Sequence, residues 1–131
     1  MAERAFPVVF AQDVGRTAAF YEHLGFERHD QLPEDGEPGY VGLRRATYEL
    51  AVVSAGWLQQ QYYLSVGADV RFELFVYVDV VDVVVDGLRD SGTTILRAAE
   101  DMPWGERVAY ATDPDGNPVA LASATTVTGS P

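Results

Sequence analysis

The sequence predicts an α+β protein made of two tandem βαβββ modules, and three observations carry that prediction. Two short alternating apolar runs, Phe6 to Ala11 and Phe72 to Val78, each lead into an aspartate placed to cap a helix. Those aspartates, Asp13 and Asp79, lie 66 residues apart, and the glycines that end the two helices, Gly25 and Gly92, lie 67 apart. Each half then continues as short apolar runs punctuated by turns. A recurrence of landmarks at half the chain length is the mark of an internal repeat.

In the first strand Phe6, Val8 and Phe10 alternate with Pro7, Val9 and Ala11, and Pro7, which lacks a backbone donor, places the strand at a sheet edge. Asp13 is a good N-cap, the apolar residues Ala18, Phe20, Tyr21 and Leu24 follow at helical spacing, and Gly25 suits the left-handed position past a helix end. A helix over about Gly15 to Leu24 follows. Phe26 to Gln31 reads as a second strand and the acidic segment Leu32 to Gly39 as a loop. Strands over Tyr40 to Arg44 and Thr47 to Ser54 flank a tight turn at Arg45-Ala46. Module one thus covers about 5–54.

The segment 55–70 is weakly periodic and reads as a linker with a helical turn at most. In module two, about 71–124, Phe72, Leu74 and Val76 share one strand face and Glu73, Phe75 and Tyr77 the other. The valine-rich run Val80 to Asp90 could pass for a strand, but Val81, Val84, Val85 and Leu88 form one helical stripe and Asp79, Asp82, Asp86 and Asp90 another. Segregation at that period predicts a helix with a solvated acidic face. A short strand over Thr94 to Arg97, a loop to Glu106 and a hairpin of Arg107–Thr112 with Val119–Ser123 around Asp113-Pro114-Asp115-Gly116-Asn117 complete the module. The small polar tail, 125–131, is expected to fray.

Composition narrows the function. Twenty acidic against nine basic residues give a net charge of −11, a field that repels nucleic-acid and anionic-lipid phosphates and favours small cations. No apolar stretch is long enough for a membrane span, no secretory leader is visible, and 131 residues suit one domain, 1–124. With no cysteine, thiolate metal sites, disulfides and cysteine nucleophiles are excluded, and cytoplasmic residence is the expectation.

The segment Phe20-Tyr21-Glu22-His23-Leu24-Gly25-Phe26, followed about ninety residues later by Asp113-Pro114-Asp115-Gly116-Asn117, with Pro103-Trp104-Gly105-Glu106-Arg107 between, resembles the vicinal oxygen chelate superfamily. That superfamily includes glyoxalase I, extradiol dioxygenases, fosfomycin-resistance enzymes and bleomycin-resistance proteins, and the resemblance spans about Phe6 to Ala122. It implies a curved glyoxalase/bleomycin-resistance-type sheet groove between the modules, intramolecular or formed by a strand-exchanged homodimer. In metalloenzyme members it implies a divalent ion held by four side chains, usually His, Glu and Gln, from both modules. Carried onto this chain, those positions fall on Phe6, on Glu49 within a residue or two, on Glu73 and on Ala120. A phenyl ring and a methyl group supply no donor, and two carboxylates alone make a poor divalent site. His23 and His29, the two histidines, match no ligand position.

The resemblance is therefore strongest to the metal-free, drug-binding branch. The expectation is a protein, without cofactor, that binds a small aromatic or cationic molecule and serves antibiotic sequestration or resistance, more a binder than an enzyme. Strand alternation offers Phe6, Val8, Phe10, Phe75 and Tyr77 as groove lining, with Trp104 and Trp57 near its mouth and Glu49, Glu73 and Ala120 beside it. Strand residues such as Val8 and Phe75 equally suit a core. Glu49 and Glu73 would neutralise a cationic ligand, or pair with Arg44, Arg71 or Arg107 as structural ions. The alternative is an enzyme of the same superfamily, either with shifted metal ligands or a metal-free isomerase with Glu73 as its base.

Overall fold

A computed structural model describes residues 4–67 and 69–124; the expected tail lies outside them. The chain divides between 67 and 69 into two compact units, and each has the βαβββ order expected.

In the first unit β1 (Val8–Ala11), α1 (Val14–Glu22), β2 (Glu27–Leu32), β3 (Tyr40–Arg45) and β4 (Tyr48–Ser54) precede a second helix, α2 (Ala55–Tyr62). The sheet order is β1-β4-β3-β2. Only the first and last strands pair in parallel, Val8 opposite Ala51 and Phe10 opposite Val53. The edge position of β1 is the one Pro7 demands. The Oδ1 of Asp13 accepts the Arg16 backbone N–H at 3.1 Å and so caps α1. Val14, Thr17, Ala18, Phe20 and Tyr21 bury one face of that helix against β3 and β4. Tyr21, fully buried, meets Phe20 and Phe26 edge-on, with ring centroids 5.0 and 6.1 Å away. Gly25, at φ +96°, turns the chain out of the helix, and Arg45 Nε reaches over it to the Leu24 carbonyl at 3.1 Å.

The second unit repeats the plan with β5 (Leu74–Tyr77), α3 (Val81–Asp90), β6 (Ile95–Asp101), β7 (Glu106–Thr112) and β8 (Pro118–Ala124), in sheet order β5-β8-β7-β6. Again the first and last strands pair in parallel. Val81, Val85 and Leu88 of α3 are buried, as its apolar stripe requires. Asp113 Oδ1 accepts the Asp115 and Asn117 backbone N–H groups, both at 2.9 Å, and builds the β7–β8 turn. Asn117 Oδ1 in turn accepts the Arg71 N–H at 3.0 Å, tying the start of the module to that turn.

Four details differ from the sequence reading. The N-cap of α3 is Val80, with no side-chain bond, so Asp79 does not cap the helix. β6 runs on to Asp101 where a loop was expected. Its pairing with β7 shifts register at two places, which broke the alternation that would have revealed it. The linker holds the eight-residue α2, capped by Ser54 Oγ accepting the Gly56 N–H at 3.3 Å; none of its residues is buried, so no apolar stripe marked it. The acidic face of α3 is not wholly solvated either. Asp82 takes a forked pair of hydrogen bonds from Arg107, Nε to Oδ2 at 2.9 Å and Nη2 to Oδ1 at 3.1 Å, while Arg107 Nη1 reaches Asp101 at 3.1 Å.

Candidate functional site

Each sheet is covered by a helix on one face, and the side chains of interest stand on the other. In module one the strand register puts Val8, Phe10, Tyr40, Arg44, Glu49, Ala51 and Val53 on the face opposite α1. Val8 is 40% exposed, while Phe6 and Phe10 are half-buried. Glu49, half-buried, is held by Arg4: Nε donates to Oε2 at 2.7 Å and Nη2 to Oε1 at 2.6 Å. The same guanidinium lies over the Phe6 ring, 4.9 Å from its centroid. These Arg4 bonds hold the Glu49 carboxyl below its ordinary range; burial opposes them, and Arg44 and His29 add attraction. Glu49 thus has an ion partner, but it is Arg4, 45 residues away, and none of the arginines the sequence offered.

Module two presents a different surface. Phe75 and Tyr77 are 43% and 54% exposed, with ring centroids 5.5 Å apart. On the same face Val108, Ala120 and Ala122 form a buried apolar floor packed by Met102 and Tyr110. Ala120 is fully buried and contributes only to that floor. Glu106, at the start of β7, accepts the Trp104 indole N–H at 2.8 Å. It also hydrogen-bonds the Tyr77 hydroxyl, which, with burial adding, raises the phenol above its ordinary value. One carboxylate therefore fixes two aromatic side chains. Sequence reasoning missed Glu106; its position two residues after Trp104 and at a strand start was the available signal. Glu73 is exposed, just before β5.

Trp57, 42% exposed on α2, lines a cavity of about 460 Å³ together with Leu32, Tyr40 and Gln60. The sequence pointed to Trp57 there but to neither Leu32 nor Tyr40. His29 faces Asp30 at 3.2 Å.

The residues at the expected metal positions do not fit a divalent ion. Phe6 and Ala120 have no donor atom, and both Glu49 oxygens are taken by Arg4. Among the described residues no three His, Asp or Glu side chains gather in an arrangement able to hold a metal. No helix among them is long and apolar enough to cross a membrane.

Residues 5–121 match the family model described as the Glyoxalase/Bleomycin resistance protein/Dioxygenase superfamily. No curated protein matches in sequence. Several solved structures are similar. A glyoxalase/bleomycin resistance protein/dioxygenase family enzyme from Burkholderia phytofirmans is 21% identical, with a TM-score of 0.78, over 94% of this chain and 99% of that one. A hypothetical protein from S. aureus is 19% identical with the same TM-score of 0.78, over 95% of each chain. The bleomycin resistance determinant encoded on the transposon Tn5 is 23% identical with a TM-score of 0.64, over 94% and 98%. At these identities the likeness is one of fold.

Proposed function

Given that the chain belongs to the glyoxalase/bleomycin resistance protein/dioxygenase superfamily, we propose that it binds a small aromatic cation on the helix-free face of the module-two sheet without a catalytic metal. The observation that carries this reading is Glu106 holding Trp104 and Tyr77 beside the exposed ring of Phe75. Aromatic faces stack on planar ligands and attract cations through the ring quadrupole. The apolar floor beneath excludes water, and Glu106 with the overall charge of −11 selects positive charge. Exposed aromatic side chains above a well-packed floor are what a binding surface leaves for its ligand to cover.

Sequestration of an antibiotic is the role we assign, carried out by a homodimer in the cytoplasm. A relative in fold, the Tn5 determinant, is a bleomycin resistance protein. The chain has two tryptophans, so a Trp57→Phe variant leaves Trp104 as its single indole reporter. Titration of that variant with the planar cation proflavine should change indole emission saturably, and 1,10-phenanthroline or EDTA should leave the response intact. A flat response to proflavine and to a panel of cationic antibiotics would remove this reading. Native mass spectrometry of the same protein reports the dimer and any retained ligand.

A further inference from the structure

We infer that Met102 is a redox-sensitive support of the aromatic clasp that Glu106 makes with Trp104 and Tyr77, and that its oxidation by a hydroperoxide loosens the clasp and weakens ligand binding there. The loosening stands on the geometry of module two alone; its effect on a ligand rests on the reading above. The chain has no cysteine and two methionines, of which Met102 lies among the described residues. No thiol therefore competes for an oxidant that reaches this surface. Met102 sits between the end of β6 at Asp101 and the start of β7 at Glu106. Its N–H donates to the Glu106 carbonyl at 2.7 Å, and its carbonyl accepts the Gly105 N–H at 3.1 Å. Those two bonds close the turn Pro103-Trp104-Gly105, in which Gly105 takes φ +93°, the left-handed end that a three-residue hairpin loop uses. One turn, anchored at Met102, thus carries Trp104 and sets the Glu106 carboxylate that follows it.

Met102 is half-buried and packs on the floor formed by Val108, Ala120 and Ala122. Half burial leaves a small oxidant access, while the packing makes a change of polarity felt. In the reaction a sulfur lone pair attacks one peroxide oxygen, an S–O bond forms and the O–O bond breaks. The sulfur gives up two electrons, and hydrogen peroxide leaves as water once a proton has moved to the departing oxygen. A flexible apolar thioether becomes a polar, chiral sulfoxide. The side chains of Val108, Ala120 and Ala122 carry no hydrogen-bonding group, so the new oxygen finds no donor on that floor and is drawn outward to water. Because both backbone groups of Met102 are bonded within the turn, displacing it moves Trp104 and Glu106 together. The indole bond to Glu106 and the Tyr77 hydroxyl bond to the same carboxylate are then disturbed at once. Methionine sulfoxide is returned to the thioether by dedicated reductases, which makes the change reversible.

Hydrogen peroxide is the probe. Tandem mass spectrometry of the tryptic fragment 98–107 should show an added oxygen on Met102 before any on Trp104. After that oxidation, proflavine affinity measured by calorimetric titration should fall about tenfold. The Tyr77 phenol should ionise at lower pH, read as the phenolate absorbance that Tyr77→Phe abolishes. Treatment of the oxidised protein with the two stereospecific methionine sulfoxide reductases should restore both values. In Met102→Leu each value after peroxide should equal its own value before, whatever the starting affinity. Oxidised Met102 with unchanged affinity and an unchanged Tyr77 midpoint overturns the inference, as does a Met102 that stays reduced at peroxide levels that oxidise fragment 98–107 as a free peptide. Loss of far-UV circular dichroism on oxidation would make Met102 a residue of stability alone, and also overturns it. If the untreated protein binds no proflavine, the module-two ligand reading falls, and the Tyr77 midpoint decides whether Met102 supports the clasp.

Discussion

Arg4 holds Glu49 by two parallel hydrogen bonds of 2.7 and 2.6 Å, and Glu49 is the residue on which, within a residue or two, the resemblance led us to expect a metal ligand. The arginine supplies the positive charge that a half-buried carboxylate needs. Because Arg4 lowers the Glu49 pKa, Arg4→Met should raise the pH at which that carboxyl protonates toward the ordinary 4.5, read from its side-chain carbon shift by NMR. The pair is solvent-facing on the arginine side, so unfolding midpoints should move little.

The forked bond from Arg107 depresses the Asp82 pKa. A carboxyl depressed in the folded state adds stability above its unfolded pKa, and that contribution fades as pH falls through the folded value. The difference in urea midpoint between the unaltered protein and Asp82→Asn should therefore be largest near neutrality and shrink below about pH 4. Asp82 is over half exposed and Arg107 keeps Asp101, so the difference at pH 7 should be only about 0.5 kcal/mol.

Asp113 is a sharper case because it is 2% exposed and three N–H groups, two of backbone and one of the Asn117 amide, converge on its carboxylate. Asp113→Ala strands buried donors in a tight turn. A loss of about 2–4 kcal/mol is expected by chemical denaturation. Asn117→Ala also releases Arg71 N–H, and should cost a comparable amount.

Glu106→Gln tests the aromatic clasp without changing its size. The Tyr77 phenol, raised chiefly by its bond to Glu106, should ionise at lower pH, seen as the phenolate absorbance that Tyr77→Phe abolishes. Loss of the charge at the aromatic face should weaken a bound aromatic cation by about fivefold to tenfold, measured by calorimetric titration.

The features legible in the sequence are those decided locally. Asp13 caps, Gly25 and Gly92 turn with positive φ, and the Asp113–Asn117 turn forms from residues within reach of one another. Asp79 looked equivalent to Asp13, but the chain places Val80 at the cap, and a motif cannot report a shift of one residue. α2 and the second half of β6 left no periodic trace because one buries nothing and the other is bulged. Among the candidate side chains, Phe75, Tyr77 and Trp104 were found as aromatic groups on a strand and a loop. Glu106, which organises two of them, was not. Nor was Arg4, since a pairing across 45 residues exists only after β1 has met β4.

That meeting has a kinetic consequence. The antiparallel strands of each module are joined by short turns and can zip locally, whereas β1 joins β4 with Val8 opposite Ala51, and β5 joins β8 with Leu74 opposite Val119. Closing such long loops before any reward is slow. The expected order therefore leaves the two four-residue edge strands to dock last. Substitutions at Val9 or Val76 should speed unfolding more than they slow folding, as for residues that are native only after the barrier has been crossed.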